Sequence, residues 1–159
     1  PKSLFIGDEL SVLFRKDGFS AMIGELCATA RKDGLSIVLS SQDPDTICQS
    51  AAAAMIMQNI TYRLTGCITS NAVASFQQYL SYPGEIIAQN ASESFFPRRS
   101  DLYSCWLIEK GGRFWSCRFY PGEMTLAAVA TNQEERHARR TILARYPNTL
   151  KGQLQGLQA

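Results

Sequence analysis

The sequence lacks several features that would place it in a common class of protein. It has one histidine and five cysteines with no CxxC pair, so neither a zinc site nor a disulfide framework is indicated. No apolar run approaches the roughly 20 residues that a transmembrane helix needs, and no signal peptide is visible. A net charge of +2 is too small to predict nucleic-acid binding by itself. These absences favour a reducing compartment, and we expect a cytoplasmic protein.

What is present is an ordinary globular balance. The chain has 159 residues, of which 45% are hydrophobic and 19% charged, and this is enough for a real core. It starts at Pro1 without methionine, and a strand pattern begins almost at once, so we expect a piece of a longer protein. We expect residues 1–146 to belong to one domain and residues 147–159, rich in Gln, Leu and Gly, to form a weakly patterned C-terminal tail.

Two short apolar runs near the start each end abruptly in polar residues. Residues 4–9 read Leu-Phe-Ile-Gly-Asp-Glu and residues 37–42 read Ile-Val-Leu-Ser-Ser-Gln. Between them a helical face with a period of 3.6 is predicted, formed by Phe19, Met22, Ile23, Leu26, Cys27 and Ala30. This order predicts strand, crossover helix and parallel strand. Asp8, Glu9 and Gln42 then share the carboxyl edge of one sheet, where open α/β sheets bind ligands.

The sequence pattern between residues 43 and 91 predicts further helices and one strand. Asp43 is expected to cap a helix that has Pro44 at its first position and runs to about Gln58. The predicted elements that follow are a strand over residues 61–68 and helices over 72–80 and 84–91.

From residue 102 the hydrophobic period changes to two. Strands over residues 102–110 and 113–120 flank Gly111-Gly112, a strong hairpin signal. One face of this hairpin is expected to join the core, although it could instead stack single-stranded nucleic acid; its members are Trp106, Ile108, Trp115, Cys117 and Phe119. A further strand is predicted over residues 124–130.

Thr131 and Glu134 form a capping box for a last helix, with Ala138, Ile142 and Leu143 facing inward. The helix also carries a basic stripe of Arg136, His137, Arg139, Arg140 and Arg145. We interpret the stripe as a solvated face rather than as a contact with DNA or an acidic partner.

The polar residues at the predicted sheet edge suit the hydrolysis of a nucleoside triphosphate. That reaction needs a carboxylate to position Mg²⁺, commonly through water, and a group that activates or orients the attacking water. Asp8 fits the first role and Glu9 the second. Gln42 could hydrogen-bond the attacking water or the terminal phosphate. Each residue alone is common, but the ordered combination with an amphipathic helix and an Asp-Pro helix start is specific.

These segments resemble the C-terminal half of the conjugative-transfer ATPases of bacterial type IV secretion systems, the TraC-type motors. The resemblance is strongest over residues 3–65 and 102–140, and it includes the Ser-Ser-Gln-Asp-Pro of residues 40–44, the Gly-Gly hairpin and the Thr-Asn-Gln-Glu-Glu-Arg of residues 131–136. It implies a RecA-like α/β fold with a mostly parallel sheet and flanking helices, ending in an antiparallel hairpin and a C-terminal helix. Gly7 departs from the family, which usually has a bulky apolar residue there.

The resemblance implies Asp8 and Glu9 as the Walker B acids and Gln42 as the sensor glutamine, acting on ATP and Mg²⁺. The sequence contains no GxxxxGK[S/T] phosphate loop. We therefore expect that loop upstream of Pro1, and we expect this chain alone to be catalytically silent.

Motors of this kind often take an arginine from a neighbouring subunit, for which Arg63, Arg98 and Arg99 are candidates. The resemblance also implies a homo-oligomer that acts with membrane-bound secretion components at the inner face of the bacterial inner membrane, with any DNA contact weak or indirect. Two alternatives remain open: a DNA-pumping translocase or coupling protein, and a non-catalytic docking module of the secretion machine.

Overall fold

The computed structural model describes residues 3–30, 32–98, 102–129 and 132–158. Its fold is mixed α/β, with five strands in two small sheets. In these ranges the strands are β1 (Ser3–Gly7), β2 (Leu35–Leu39), β3 (Arg63–Thr65), β4 (Ser104–Lys110) and β5 (Arg113–Phe119). The α-helices are α1 (Asp17–Thr29), α2 (Asp45–Cys48), α3 (Ala53–Asn59), α4 (Val73–Leu80), α5 (Gly84–Asn90), α6 (Glu123–Val129), α7 (Gln133–Leu143) and α8 (Leu150–Gln158). Short 3₁₀ turns cover Leu13–Arg15 and Ser70–Ala72.

The chain divides into two compact units. The first contains the residues up to Pro97 together with Ser104–Arg118, and the second contains Arg98–Tyr103 and the chain from Phe119 onward. Within the described ranges, no helix combines the length and the apolar character needed to cross a membrane.

The predicted strand–helix–strand unit at the start is confirmed. β1 and β2 pair in parallel, with Phe5 opposite Ile37 and Gly7 opposite Leu39, and α1 connects them. Ile23 on α1 is fully buried, as expected. Met22 is 53% exposed instead, because the buried stripe of α1 is shifted toward Ser20 and Gly24.

The helix predicted from Asp43 to Gln58 is interrupted. α2 ends at Cys48 and α3 begins at Ala53, so the prediction of one continuous helix was wrong. Near the end of α2 the Ser50 hydroxyl donates to the carbonyl of Ile47 at 2.8 Å, a local bond that competes with helix continuation. The break lets Ala52 approach Gly24 of α1 closely, since a Cβ built on Gly24 would lie 2.8 Å from the Ala52 Cβ.

A separate antiparallel sheet has the strand order β3-β4-β5. β3 is shorter than predicted, and it pairs with β4 rather than with the parallel pair, so that Leu64 lies opposite Ile108. Gly111 and Gly112 have φ of 57° and 77°, as the tight turn of a two-residue hairpin requires. The hairpin and the helices α4 and α5 are confirmed.

The predicted core face of the hairpin was wrong. Leu107 is 1% exposed and packs with Cys105 and Phe114 on the second hydrophobic cluster, whereas Trp115 is 47% and Phe119 57% exposed. A strand alternates its two faces with a period of two, so a choice between them from aromatic content alone errs for every residue at once.

Two hydrophobic clusters form the core of the first unit. One is centred on α1, α2 and α3 and contains Leu10, Phe14, Ile23, Ile47, Ala52 and Ile56. The other lies between α4, α5 and the antiparallel sheet and contains Phe76, Tyr82, Ile87, Phe95 and Leu107.

The second unit is helical. The strand predicted over 124–130 was wrong, because residues Glu123–Val129 form α6. The amide of Leu126 donates to the carbonyl of Gly122 at 3.0 Å, and the run is rich in strong helix formers. The last predicted helix is present as α7, and the Asn132 side chain accepts from the amide of Glu135 at its start. Thr131 of the predicted capping box lies outside the described residues.

The tail without a clear pattern forms the helix α8. Gly152 and Gly156 are buried. Gly152 lies directly against the Pro147 carbonyl oxygen in the connection between α7 and α8, and a Cβ on Gly156 would lie 2.8 Å from Leu143 Cδ2 at the end of α7. The Gly-xxx-Gly spacing was therefore a packing signal. Of the residues predicted to face inward, Leu143 is half-buried, while Ala138 and Ile142 are exposed.

Candidate functional site

The carboxyl edge of the parallel pair is held together by backbone hydrogen bonds beyond the strands themselves. The Ser40 amide donates to the carbonyl of Gly7 at 2.8 Å, and the Leu10 amide donates to the carbonyl of Ser40 at 3.1 Å. These bonds keep the chain leaving β1 beside the chain leaving β2. Asp8 and Glu9 follow the first strand and Gln42 follows the second, so the structure brings all three predicted residues to this edge.

The two carboxylates are exposed and available. Asp8 Oδ1 accepts a hydrogen bond from the Glu9 amide at 3.0 Å. Neither carboxylate forms an ion pair with any residue that the structure describes. Glu9 has φ of 50°, a left-handed conformation that is uncommon for a residue with a side chain. Strain of this kind is concentrated at functional sites, and here it turns the chain sharply directly after the acid pair.

Gly7 lies directly against Leu10, whose side chain fills the space beneath this turn. Leu10 is 2% exposed, and a Cβ on Gly7 would lie 3.0 Å from both δ-carbons of Leu10. A bulky residue at position 7 would need Leu10 to move. The absence of a side chain at Gly7 therefore permits the close contact with Leu10.

The loop after β2 is ordered by side chains that the sequence did not single out. Ser41 Oγ lies 2.9 Å from Ser11 Oγ across the edge and donates to the Asp43 carbonyl at 2.7 Å. Asp43 Oδ1 accepts from the amide and the hydroxyl of Thr46 at 3.0 and 2.9 Å. The predicted capping role of Asp43 is thus present, with α2 beginning after Pro44. The Ser11–Ser41 contact had no signal in the sequence.

Gln42 itself is exposed at this edge. Its amide makes no hydrogen bond within the described part of the chain. The residues on either side of Gln42 are held by hydrogen bonds, and its own exposed side chain can contact a ligand at the edge.

The donors at this edge match a hard divalent cation. Carboxylate oxygens are the ligands that Mg²⁺ prefers, and it commonly binds through one or two of them with its remaining positions filled by water and phosphate. Asp8 and Glu9 supply two such groups. No cluster of three or more His, Cys, Asp or Glu side chains occurs in the described ranges, so a cation here would draw its other ligands from water and a bound phosphate.

Arg63, a candidate arginine finger, is engaged elsewhere. Its Nη1 donates to Glu109 Oε2 at 2.8 Å, and the two side chains are 27% and 7% exposed. Glu109 Oε1 also accepts from the Gly112 amide at 2.7 Å. A role for Arg63 in a neighbouring site would require this pair to open, and that role stays a prediction.

Other buried polar groups surround this pair and were missed from the sequence. The Asn90 side chain is 1% exposed, and its Nδ2 donates to the carbonyls of Thr65 and Gly66 at 3.0 and 2.8 Å. Asn90 thereby joins α5 to β3, which is a structural use. Burial raises the pKa of the Tyr82 phenol, and the positive charge of Arg63 opposes this only in part. Burial likewise raises the pKa of the Cys48 thiol. Within the described residues, the buried Tyr82 hydroxyl and Asn90 Oδ1 have no hydrogen-bond partner.

Of the two remaining arginine candidates, only Arg98 belongs to the described residues, and it lies in the second unit. Arg98 is exposed and forms an isolated antiparallel bridge with Tyr103, whereas Arg99 lies outside the described residues. A cavity of about 370 Å³ in the first unit is lined by residues that include Ser92, Ser94, Cys105 and Ser116, and none of its lining residues belongs to the edge.

Comparison of the sequence with protein-family models and with curated proteins gave no match. The functional assignment therefore depends on the residues and geometry of the edge.

Proposed function

We propose that this chain is the hydrolysis edge of a RecA-like ATPase motor that powers conjugative DNA transfer, type IV secretion and pilus assembly. The observation that supports the proposal is that Asp8 and Glu9 follow β1, and Gln42 follows β2, at the carboxyl edge of a parallel strand–helix–strand unit. It is supported by the exposure of both carboxylates and by the left-handed turn at Glu9.

In this proposal each residue has a separate role. Asp8 holds Mg²⁺ through a water molecule, Glu9 accepts the proton of the attacking water, and Gln42 orients that water by a hydrogen bond. Mg²⁺ supplies charge neutralisation on the transferred phosphate. The sequence contains no phosphate loop, so in this proposal the phosphates are bound by residues other than these 159.

The proposed setting follows from the family resemblance. The motor is a homo-oligomer at the inner face of the bacterial inner membrane, where it works with membrane-bound secretion components. Arg63, Arg98 or Arg99 completes the site of a neighbouring subunit. The isolated chain binds ATP weakly and does not hydrolyse it.

The test is ATP hydrolysis by the complete protein with the substitution Glu9→Gln. Loss of a general base costs roughly 10²- to 10⁴-fold in rate, while ATP binding is retained because Glu9 does not hold the phosphates. Glu25→Gln is the matched control, since Glu25 is exposed on α1 away from the edge. Unchanged hydrolysis in Glu9→Gln would refute the catalytic assignment.

The same variants separate the alternatives. If secretion and ATP hydrolysis both survive Glu9→Gln, the chain is a docking module. If hydrolysis is lost and is stimulated by DNA in the unmodified protein, a DNA-pumping translocase is favoured over a secretion ATPase.

A further inference from the structure

The antiparallel sheet turns one of its two faces to solvent. On the inner face Leu107 and Phe114 pack on the second hydrophobic cluster. On the outer face Leu64 is 61% and Trp115 47% exposed. We call the outer face, formed by Leu64, Trp106, Ile108, Lys110, Arg113 and Trp115, the aromatic face.

The register places these side chains side by side. Leu64 lies directly opposite Ile108. The two-residue turn at Gly111-Gly112 sets Lys110 opposite Arg113, and therefore Ile108 opposite Trp115. Directly opposed residues of an antiparallel pair lie on the same face, with Cβ atoms roughly 5 Å apart. Leu64, Ile108 and Trp115 thus form one continuous apolar strip across three strands.

Trp106 is held in place beside this strip. Its indole Nε1 donates to the Ser104 hydroxyl at 2.8 Å. Its six-membered ring covers Gly66, where a Cβ would lie 3.6 to 3.9 Å from three ring carbons. A ring that is fixed before binding loses little side-chain entropy when a ligand stacks on it.

The charged side chains of the aromatic face are all positive. Lys110 and Arg113 lie at its turn end, and Lys110 Nζ sits 4.6 Å from the ring centroid of Tyr62 while donating to the Tyr62 hydroxyl at 2.8 Å. The only carboxylate in β3, β4 and β5 is that of Glu109, which lies on the opposite face bound to Arg63. Arg113 has no ion-pair partner among the described residues. The face therefore complements an anion.

We propose that the aromatic face binds single-stranded nucleic acid. Such a ligand combines a negative backbone with planar bases whose π-faces are accessible, and these features match the two cations and the indole rings. In a duplex the bases are already stacked on one another, so the rings would have no free base to contact. This proposal is independent of the hydrolysis edge, since no residue is shared between the two.

The test is the binding of a fluorescent oligothymidylate of about 15 nucleotides, within the usual span of such sites, measured by anisotropy at low salt. Trp115→Ala should weaken binding roughly five- to a hundredfold, as expected for the loss of one stacked base, and Trp115→Tyr should retain most of it. Phe96→Ala is the matched control, because Phe96 is 46% exposed and lies off the sheet.

The charge contribution is tested by salt dependence. Arg113→Gln should reduce the slope of log affinity against log salt by about 1, whereas Arg15→Gln, at an exposed arginine elsewhere, should leave it unchanged. The Trp115 fluorescence of the unmodified protein should also be quenched on binding.

Three results would overturn the proposal: no binding at low salt, equal loss in Trp115→Ala and Phe96→Ala, or equal affinity for a duplex of the same sequence. If the unmodified protein is an oligomer in solution and Trp115→Ala has a lower solution mass, the face is an interface between protein copies and the proposal is wrong. Circular dichroism checks that each variant is folded.

Discussion

The parallel half of the first unit (residues 3–60) and its antiparallel half (residues 63–97 and 104–118) contain the same types of polar side chain in opposite surroundings. In the parallel half Asp8, Glu9 and Gln42 are exposed at a sheet edge. In the antiparallel half Glu109 and Asn90 are 5% and 1% exposed and bind partners within the fold. An exposed group without a partner can bind a ligand, whereas a buried group must be satisfied by its own protein.

This contrast shows why residue type alone is a weak guide to function. Arg63 and Glu109 are residue types that occur in catalytic sites. Here they form an ion pair with each other at 2.8 Å, so neither charge is available to a ligand while the pair is closed. The predictions below test whether the two halves differ in this way, beginning with the largest expected effect.

The first prediction concerns the two cores. Ile23 in the parallel half and Ile87 in the antiparallel half are both fully buried. Replacement of either by Ala should lower the free energy of unfolding by about 2–5 kcal/mol, because it removes apolar contacts and leaves a cavity. The measurement is urea unfolding followed by circular dichroism.

Exposed apolar residues give the control. Val38→Ala and Leu64→Ala, at positions 50% and 61% exposed, should each change the free energy of unfolding by less than about 0.5 kcal/mol. Equal effects at buried and exposed positions would contradict the two-cluster core. A single unfolding transition shared by both Ile variants would show that the halves fold together.

The second prediction concerns the acids. Glu109→Ala should destabilise the protein by about 2 kcal/mol, since it leaves Arg63 partly buried without its partner and the Gly112 amide without its acceptor. Asp8→Ala at the exposed edge should change stability by less than about 0.5 kcal/mol. Both are measured by denaturant unfolding. If Asp8→Ala is the more destabilising, the division into functional and structural acids is wrong.

A double variant refines this result. Arg63→Met combined with Glu109→Leu should recover most of the loss, because replacing both members of a buried pair by apolar groups is often nearly neutral. No recovery would mean that packing, not the unpaired charge, explains the cost of Glu109→Ala.

The third prediction uses two glycines of the same helix. A Cβ at Gly24 would lie 2.8 Å from the Ala52 Cβ, whereas a Cβ at Gly18 meets nothing within 4 Å. Gly24→Ala should therefore cost about 1–2 kcal/mol through overpacking. Gly18→Ala should stabilise the protein by about 0.5–1 kcal/mol through helix propensity. Thermal unfolding distinguishes the two, and a gain in Gly24→Ala would contradict the close approach of α1 to α3.

The smallest effect is expected at the strained turn of the edge. Glu9→Gly should be more stable than Glu9→Ala by about 1 kcal/mol, because only glycine adopts the left-handed conformation without a steric cost. At the exposed helical position Glu25 the order should reverse, with Ala better than Gly by about 1 kcal/mol. Denaturant unfolding measures both pairs. The same order at both positions would show that Glu9 is not strained.

Much of the fold near the edge could be predicted because its signals are local. The apolar runs at residues 4–9 and 37–42, with a helical period between them, identified β1, α1 and β2. The turn glycines identified the hairpin, and Pro83 separated α4 from α5. The positions of Asp8, Glu9 and Gln42 at one edge followed from the order of these elements.

The predictions of secondary structure and burial were wrong where a local sequence pattern was compatible with two structures. Residues 124–130 are apolar apart from Thr125, a pattern that fits a buried strand or a short helix equally. The hairpin has rings on both faces, and the sequence could not say which face meets α4 and α5. The helix from Asp43 is broken at residues 49–52, where the Ser50 hydroxyl bonds the Ile47 carbonyl and Ala52 packs on Gly24, a tertiary contact that the periodicity does not show.

The sequence by itself determined β1, α1, β2 and the hairpin, together with the acid pair and its glutamine, since these depend on periodicity and on neighbours along the chain. Only the tertiary structure decided which polar groups are bonded to other groups of the same protein. Arg63 meets Glu109 and Asn90 meets Thr65 across many intervening residues, and burial decides whether such a group binds its own protein or a ligand. For the same reason the tertiary structure alone showed that the aromatic face is open to solvent.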